Sequence, residues 1–468
     1  MNAASFNPLV DFLTRPGQTQ PVPAATLQSA LGVSQATLSR MVREAGDGVV
    51  RIGKARATRY AATHSLGRVG RNWPLYRLDP MGRPHPLGRL HALARGDWWL
   101  SAEGARLGPV FANAEFRDGL YPGWPWFLDG QRPQGFLGRA FAHRVAPLLG
   151  SPADLNLWGD DDIALALLQY GHDAPGDLIL GEPSLRRALD ERSSPPNAIL
   201  AEEREQHYPR LAEAALRGEP FGSSAAGEQP KFTATLAEVD GSWRPVIVKF
   251  SERLTTPGAR RWADLLQGER LAAETLAAAE VAAAPTRILT ADNRVFLEST
   301  RFDRTPTLGR IGMVPLAALD AAFYGHGALP WWQFAAQLRN DGWLAAEDAT
   351  RLARLGWFGA LIGNTDMHLG NVSLNLDDTR PLSLAPVYDM LPMRWRPAAT
   401  GEVLPPDNDW RPPFPLPHET RDWLAAAALA RAYWQQVIDA QERFSDDFRA
   451  IAQNALSAVE RALAQVAH

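Results

Sequence analysis

The stretch LIGNTDMHLGNVSLNL, Leu361 to Leu376, decides how the C-terminal half of this 468-residue chain is read. Apolar residues lead into it, and VSLNL at its end reads as a short strand. Between these two apolar elements Asn364, Asp366, His368 and Asn371 crowd one loop. Polar groups set between apolar anchors are held in place without being buried unpaired. The next segment, APVYDM, Ala385 to Met390, adds a further carboxylate, Asp389.

Phosphoryl transfer needs such a set. A carboxylate orients the acceptor hydroxyl, oxygen ligands hold Mg2+, and a lysine meets the nucleotide phosphates. Asp366 and Asn371 have the five-residue spacing of a catalytic Asp and a metal-binding Asn. Asp389 suits the second metal carboxylate. Lys249, in VIVKF, lies on an earlier predicted strand, and Glu269 or Glu274 on the following helix is in position to pair with it. His368 and Asn364 are read as shaping the loop, because a histidine with no second one nearby is a poor metal site. The sequence contains no GxGxxG loop, no DFG triplet and no complete Walker A pattern, and FGSSAAG, Phe221 to Gly227, does not fit the GxSxG elbow.

Working outward, Lys231 to Glu238 and Trp243 to Phe250 read as two strands joined by the turn Asp240-Gly241. A helix is predicted over about 261–280, then strands at Pro285 to Leu289 and Arg294 to Glu298. Residues 306–468 read as mostly helical, broken by 361–393 and by the proline-rich loop Pro405 to Pro417. Residues 66–145 are rich in Gly, Pro and Trp and predict a small β-containing unit, with strand-like runs at Pro74 to Leu78 and Trp98 to Leu100. Asp161 to Gly181 and Asn197 to Gly218 have helical periodicity.

At the N-terminus, Pro23 to Leu31 predicts a helix, Gly32-Val33 a tight turn, and Ser34 the N-cap of a second helix, Gln35 to Ala45. Helix, glycine turn, helix is the DNA-reading unit. Gln35, Thr37, Ser39 and Arg40 are expected to face outward toward base edges and phosphates. Gly48 to Ala62 alternates like a hairpin, and Arg51, Lys54, Arg56 and Arg59 would line a basic wing. Residues 1–63 hold seven bases against three acids, although the whole chain carries a net charge of −4. A basic module on an acidic body suits a polyanion partner for that module alone. The chain has no cysteine, which excludes disulfides and thiol chemistry and fits a reducing compartment. No secretory signal or membrane span is visible, so a cytoplasmic protein without membrane contact is expected.

The same residues carry a resemblance. GNTDMHLGN, Gly363 to Asn371, PVYDM, Pro386 to Met390, ESTRFDR, Glu298 to Arg304, and SAAGEQPKF, Ser224 to Phe232, resemble motifs of the HipA family of bacterial serine/threonine kinase toxins. The resemblance covers roughly residues 70–450. It implies an α+β, HipA-like protein kinase fold, with a mixed β-sheet N-lobe and a mostly helical C-lobe. It implies Mg2+ and ATP as cofactors, Asp366 as the catalytic Asp, Asn371 and Asp389 as magnesium ligands, and Lys249 on the ATP phosphates. It further implies adenine contacts at the hinge near Glu298 and Phe302. A phosphate-covering loop would include Ser224, Gly227, Gln229 and Lys231, with Ser224 the autophosphorylation site that switches the kinase off. A dianion there would repel the ATP phosphates. Family targets include aminoacyl-tRNA synthetases, so a translation factor is the expected substrate.

HipA-type systems usually carry the DNA-binding antitoxin as a separate protein. Here a winged helix-turn-helix is expected in the same chain, as in YjjJ-type members. The expected organisation is therefore a DNA-binding domain over 1–65, a β-rich subdomain over 66–147, a kinase N-lobe over 148–302 and a helical C-lobe over 303–468. A homodimer on double-stranded DNA follows from the usual pairing of half-sites. Two alternatives stay open. One is a transcriptional repressor whose kinase fold senses a nucleotide or partner without turnover. The other is a kinase whose basic module binds protein.

Overall fold

The computed structural model describes residues 7–18, 21–104, 106–195, 198–218, 229–403 and 409–466. Its first layer is a three-helix unit, Pro8–Thr14, Ala24–Leu31 and Gln35–Ala45, closed by a small sheet of Val22–Pro23, Arg59–Ala62 and Val49–Ile52. Gly32 ends the second helix in the left-handed region at φ 62°, a conformation that costs glycine nothing. Ser34 caps the third helix, accepting from the Thr37 amide at 3.2 Å. Leu9, Leu13, Leu27, Leu38 and Met41 form the core between them.

This unit is seated on the next layer. Ile52 and Ala61 on its strands are buried with Leu93, and Trp99 and Leu120 pack around them. Those last residues belong to a five-stranded antiparallel sheet in the order Leu120–Tyr121, Trp98–Ser101, Pro84–Ala92, Asn72–Leu78, Leu178–Leu180. Its edge strand comes from a segment read by periodicity as helical. Leu178–Leu180 is wholly buried and pairs with Leu75–Arg77, so this layer continues past residue 147.

A second five-stranded sheet runs Thr286–Ala291, Arg294–Thr300, Trp243–Phe250, Lys231–Ala237, Ala198–Leu200, with the last strand parallel. The period of two sorts its faces. Phe232, Val246, Val248, Phe250 and Phe296 pack with Tyr208 of the helix Arg204–Arg217. Val295 and Leu297 face the other way, against Ala263 and Leu266 of the helix Pro257–Ala278. Lys249 shares this second face.

The C-terminal part holds the helices Leu316–Phe323, Trp331–Asn340, Ala346–Leu361, Thr420–Asp439 and Asp446–Val466. Their core is continuous with that of the first five-stranded sheet. Trp126 stacks edge-on to Phe323 and Trp343 at 5.4 and 5.8 Å between ring centres. Each such burial contributes about 1.5–3 kcal/mol from apolar area. A three-stranded sheet, Met313–Pro315, Ser373–Asn375 and Ser383–Leu384, joins the strand after the polar loop to the helical part. No helix among the described residues is long and apolar enough to cross a membrane.

Candidate functional site

The polar loop begins where the helix Ala346–Leu361 stops. Gly363 turns the chain there at φ 74°, and a β-carbon on it would sit 2.5 Å from the Trp395 ring. Two conditions, a left-handed backbone and a close approach, thus fix glycine at this corner. Asn364 follows, 7% exposed, and works in both directions. Its Oδ1 accepts the Asp366 amide at 3.0 Å, and its Nδ2 donates to the Asp389 carbonyl at 3.3 Å. Asn371 closes the loop from the far side by donating Nδ2 to the Asp366 carbonyl at 2.8 Å. His368 Nδ1 accepts the Gly370 amide at 3.0 Å. The backbone of Asp366 is thereby held at both ends, while its side chain is exposed and its carboxylate has no hydrogen-bond partner among the described residues.

Asp389 adopts a left-handed backbone, φ 54°, without being glycine. Such strain of order 1–3 kcal/mol persists only where surrounding contacts impose it. They do here. The Val387 amide donates to Ala282 and the Val387 carbonyl accepts from Ala284, both at 2.9 Å. The Tyr388 hydroxyl donates to the Gly370 carbonyl at 3.0 Å. The segment is stitched to the sheet lobe on one side and to the polar loop on the other.

Lys249 reaches this point from the sheet. Its ammonium lies 2.6 and 2.7 Å from the Glu269 carboxylate oxygens and also contacts Asp389. Glu274, the other helix acid, pairs with Arg270 of its own helix at 2.7 Å. Two carboxylates thus share one buried ammonium. Burial pushes the Glu269 carboxyl up, outweighing Lys249, and the neighbouring Asp389 charge adds to it. Burial would also raise Asp389, but Lys249, Lys231 and His368 outweigh it and hold its carboxyl at about 2. Burial disfavours the charged ammonium, yet the two acids keep the Lys249 pKa above its usual value.

Lys231 is the cross-strand partner of Lys249, on the same face. Gln229 donates its amide to the Phe250 carbonyl at the start of that strand pair. Ser224 and Gly227, expected in the phosphate-covering loop, lie outside the described residues.

Glu298 departs from expectation. It stands opposite Val248, one residue out of phase with Lys249, so its side chain emerges on the other face of the sheet. There, 1% exposed, it accepts from Tyr208 at 2.6 Å and from Arg204 and Arg244. Its carboxylate is thus fully engaged on the face away from Lys249. Phe302 stacks on Tyr388, with 5.7 Å between ring centres. Its neighbours in the Arg-Phe-Asp-Arg run serve a different purpose. Arg301 and Arg304 clamp Asp303 at 2.9 and 2.6 Å and reach Asp173 at 2.6 and 3.2 Å. This network, buried except at Asp173, ties the sheet lobe to the 171–177 segment.

A cavity of about 380 Å³ opens beside the polar loop, lined by Leu329, Pro330, Trp332, Met367 and Asp366 among others. Sequence reading missed it, because Leu329–Trp332 falls without distinction inside a region read as mostly helical. For a divalent cation the donor set is hard oxygen, the Asp389 carboxylate and the Asn371 amide oxygen, which suits Mg2+ completed by nucleotide phosphates. Among the described residues no cluster of three or more His, Cys, Asp or Glu forms an all-protein metal cage.

In the N-terminal unit Gln35, Arg40, Arg51, Lys54 and Arg56 are exposed, and Thr37 and Ser39 are half-buried. Arg59 is not available as expected, since it pairs with Asp118 of the adjoining sheet layer at 2.8 Å. This base of the small sheet is held by the layer it sits on.

Residues 223–463 match the family described as the HipA-like C-terminal domain, and residues 69–189 match the YjjJ-like toxin, middle domain. The chain is 36% identical over 434 residues to Toxin YjjJ of Escherichia coli strain K12, covering 92% of this chain and 94% of that one. Among solved structures it is similar to a chain of the Shewanella oneidensis MR-1 toxin–antitoxin complex of HipA, HipB and its operator DNA. The TM-score is 0.53 at 16% identity, over 84% of this chain and 98% of the other. That likeness is one of fold.

Proposed function

The chain belongs to the HipA-like toxin family, YjjJ type, and from that premise we propose that it is a Mg-ATP-dependent serine/threonine protein kinase with its own DNA-binding domain. The observation that carries the kinase reading is the convergence of Lys249, Glu269 and Asp389 with the pinned loop of Asp366 and Asn371. A scaffold alone has no use for a buried lysine shared between two acids beside an unpartnered carboxylate.

In this mechanism Lys249 holds the α- and β-phosphates, oriented by Glu269. Asp389 and Asn371 would hold a magnesium ion, whose charge would offset that of the phosphates when it is bound. Asp366 accepts a hydrogen bond from the acceptor hydroxyl and aims it at the γ-phosphate. Asn364 and Asn371 keep that carboxylate in register. The cavity of about 380 Å³ beside Asp366 receives the chain segment carrying the hydroxyl. Adenine would lie near Phe302 in this reading. Ser224 is the self-phosphorylated residue, and the outside target is a translation factor such as an aminoacyl-tRNA synthetase. A cytoplasmic location belongs to the same reading.

The test is incorporation of the γ-phosphate of ATP into this chain or an added translation factor. Label is expected on serine or threonine, and chelating Mg2+ is expected to abolish it. Unlabelled protein that still binds ATP would favour the nucleotide-sensing repressor.

The N-terminal unit is proposed as a winged helix-turn-helix that binds double-stranded DNA as a homodimer, over residues 1–65. The cap at Ser34, the left-handed Gly32 and the exposed Arg40, Arg51, Lys54 and Arg56 support this. Arg40→Ala with Arg56→Ala is expected to abolish operator binding at physiological salt and leave phosphoryl transfer intact. Removing one cation that pairs with a DNA phosphate should reduce the salt slope by about 0.9. Arg59→Ala is expected to leave that slope unchanged. Gel-shift titration across salt concentrations reads both. Joint loss of DNA binding and phosphorylation in the double variant would contradict two separable modules.

A further inference from the structure

Away from the cleft, a cavity of about 220 Å³ lies between the strands 231–237 and 243–250 and the 171–192 segment. Arg144, Arg192, Arg301, Arg304 and Arg310 line it, against the two acids Asp173 and Glu191. Both acids are engaged. Asp173 bridges Arg301 and Arg304, and Glu191 holds His172 at 3.1 Å. Asp303, behind the lining, pairs with the same two arginines.

Arg310 is left over. It is 5% exposed, and among the described residues no carboxylate comes within ion-pair distance of it. It donates instead to the backbone carbonyls of His172, Ala174 and Gly176, the last two at 3.4 and 3.5 Å. Burial and the charge of Arg304 push its guanidinium down to about 9, still protonated at neutral pH. Asp173 and Asp303 act on it only from beyond ion-pair distance and offset only part of its desolvation cost. A planar fork of donors is the group that receives a phosphate. Thr233 and Thr235 on the same lining add hydroxyls.

We propose that this cavity binds a small phosphate-bearing anion, anchored by Arg310 and gated by Arg192 at its mouth. Arg301 and Arg304 continue from the sheet lobe that carries Lys249, whereas His172 and Asp173 belong to the layer beneath it. An occupant therefore joins the two layers through a site separate from the nucleotide cleft.

The experiment is calorimetric titration of the full chain, without Mg2+ or ATP, using orthophosphate, pyrophosphate and AMP as separate probes. At least one is expected to bind saturably, with a Kd below about 1 mM. The preference among the three tells a free phosphate from a nucleotide tail. Arg310→Met is expected to weaken that binding about tenfold or more, and Arg192→Ala about threefold. Arg192 is at the surface, so its variant keeps the test decisive if Arg310→Met does not fold. Lys249→Met, held at a temperature where it is folded, is expected to retain the binding. No saturable binding by any probe overturns the proposal. So does binding that survives Arg310→Met and Arg192→Ala but disappears in Lys249→Met, which would put the anion in the nucleotide cleft.

Discussion

Asp366→Ala is expected to slow phosphoryl transfer by about 10²- to 10⁴-fold, the usual contribution of a positioned acid–base group, while ATP affinity stays within about twofold. The reason is local. The Asp366 side chain supports none of the hydrogen bonds that hold its loop. Those run through its backbone to Asn364 and Asn371. Truncating an exposed, unpartnered carboxylate should cost less than about 0.5 kcal/mol of stability. Loss of turnover without loss of fold or nucleotide binding therefore separates the carboxylate's chemistry from its structure. Asn364→Ala is the contrasting case, because it removes the link between the loop and Asp389 and should impair both. Single-turnover rates beside equilibrium nucleotide binding distinguish the two.

Lys249→Met is expected to destabilise the protein by about 3–5 kcal/mol, because it strands the buried Glu269 carboxylate and the partly buried one of Asp389. The denaturant midpoint reads this, and the double variant Lys249→Met with Glu269→Gln should recover part of the loss. The variant should also lose ATP affinity, since the ammonium meant for the phosphates is gone. The pH dependence carries a sign. Asp389 is held at about 2, below its ordinary 3.8. A carboxyl lowered on folding contributes stability above its unfolded pKa, and that contribution is lost as pH falls from near 4 toward 2. Wild type should show that loss, and Lys249→Met should not show the Asp389 share of it. An unchanged acid profile in the variant would mean that Lys249 is not what holds Asp389 ionised.

The elements that place these groups are legible where spacing along the chain carries the information. Asp366 and Asn371 lie on one loop, and Lys249 falls on a strand whose hairpin turn, Asp240-Gly241, is strongly marked, with Gly241 at φ 81°. The choice between Glu269 and Glu274 is not legible, because both project from one helix and only the packing of that helix selects a turn. Where the Glu298 side chain faces is not legible, because a strand's facing depends on register. Glu298 lies opposite Val248 and not opposite Lys249. Arg301 finds Asp173 from 128 positions away, and Arg59 finds Asp118 from 59. No local pattern signals such partners. Leu178–Leu180 is three apolar residues between helices, too short to show the period of two.

If Asp366 directs a phosphoryl group from ATP to a hydroxyl, the phosphate itself should depend on that carboxylate. Mass mapping of phosphopeptides reads this after wild type and Asp366→Ala, both shown to be unmodified at the start, are incubated with Mg-ATP. Phosphate is expected on serine or threonine in wild type, with Ser224 the first candidate, and none in Asp366→Ala. Phosphate at the same residue and to the same extent in both proteins would rule out that role for Asp366.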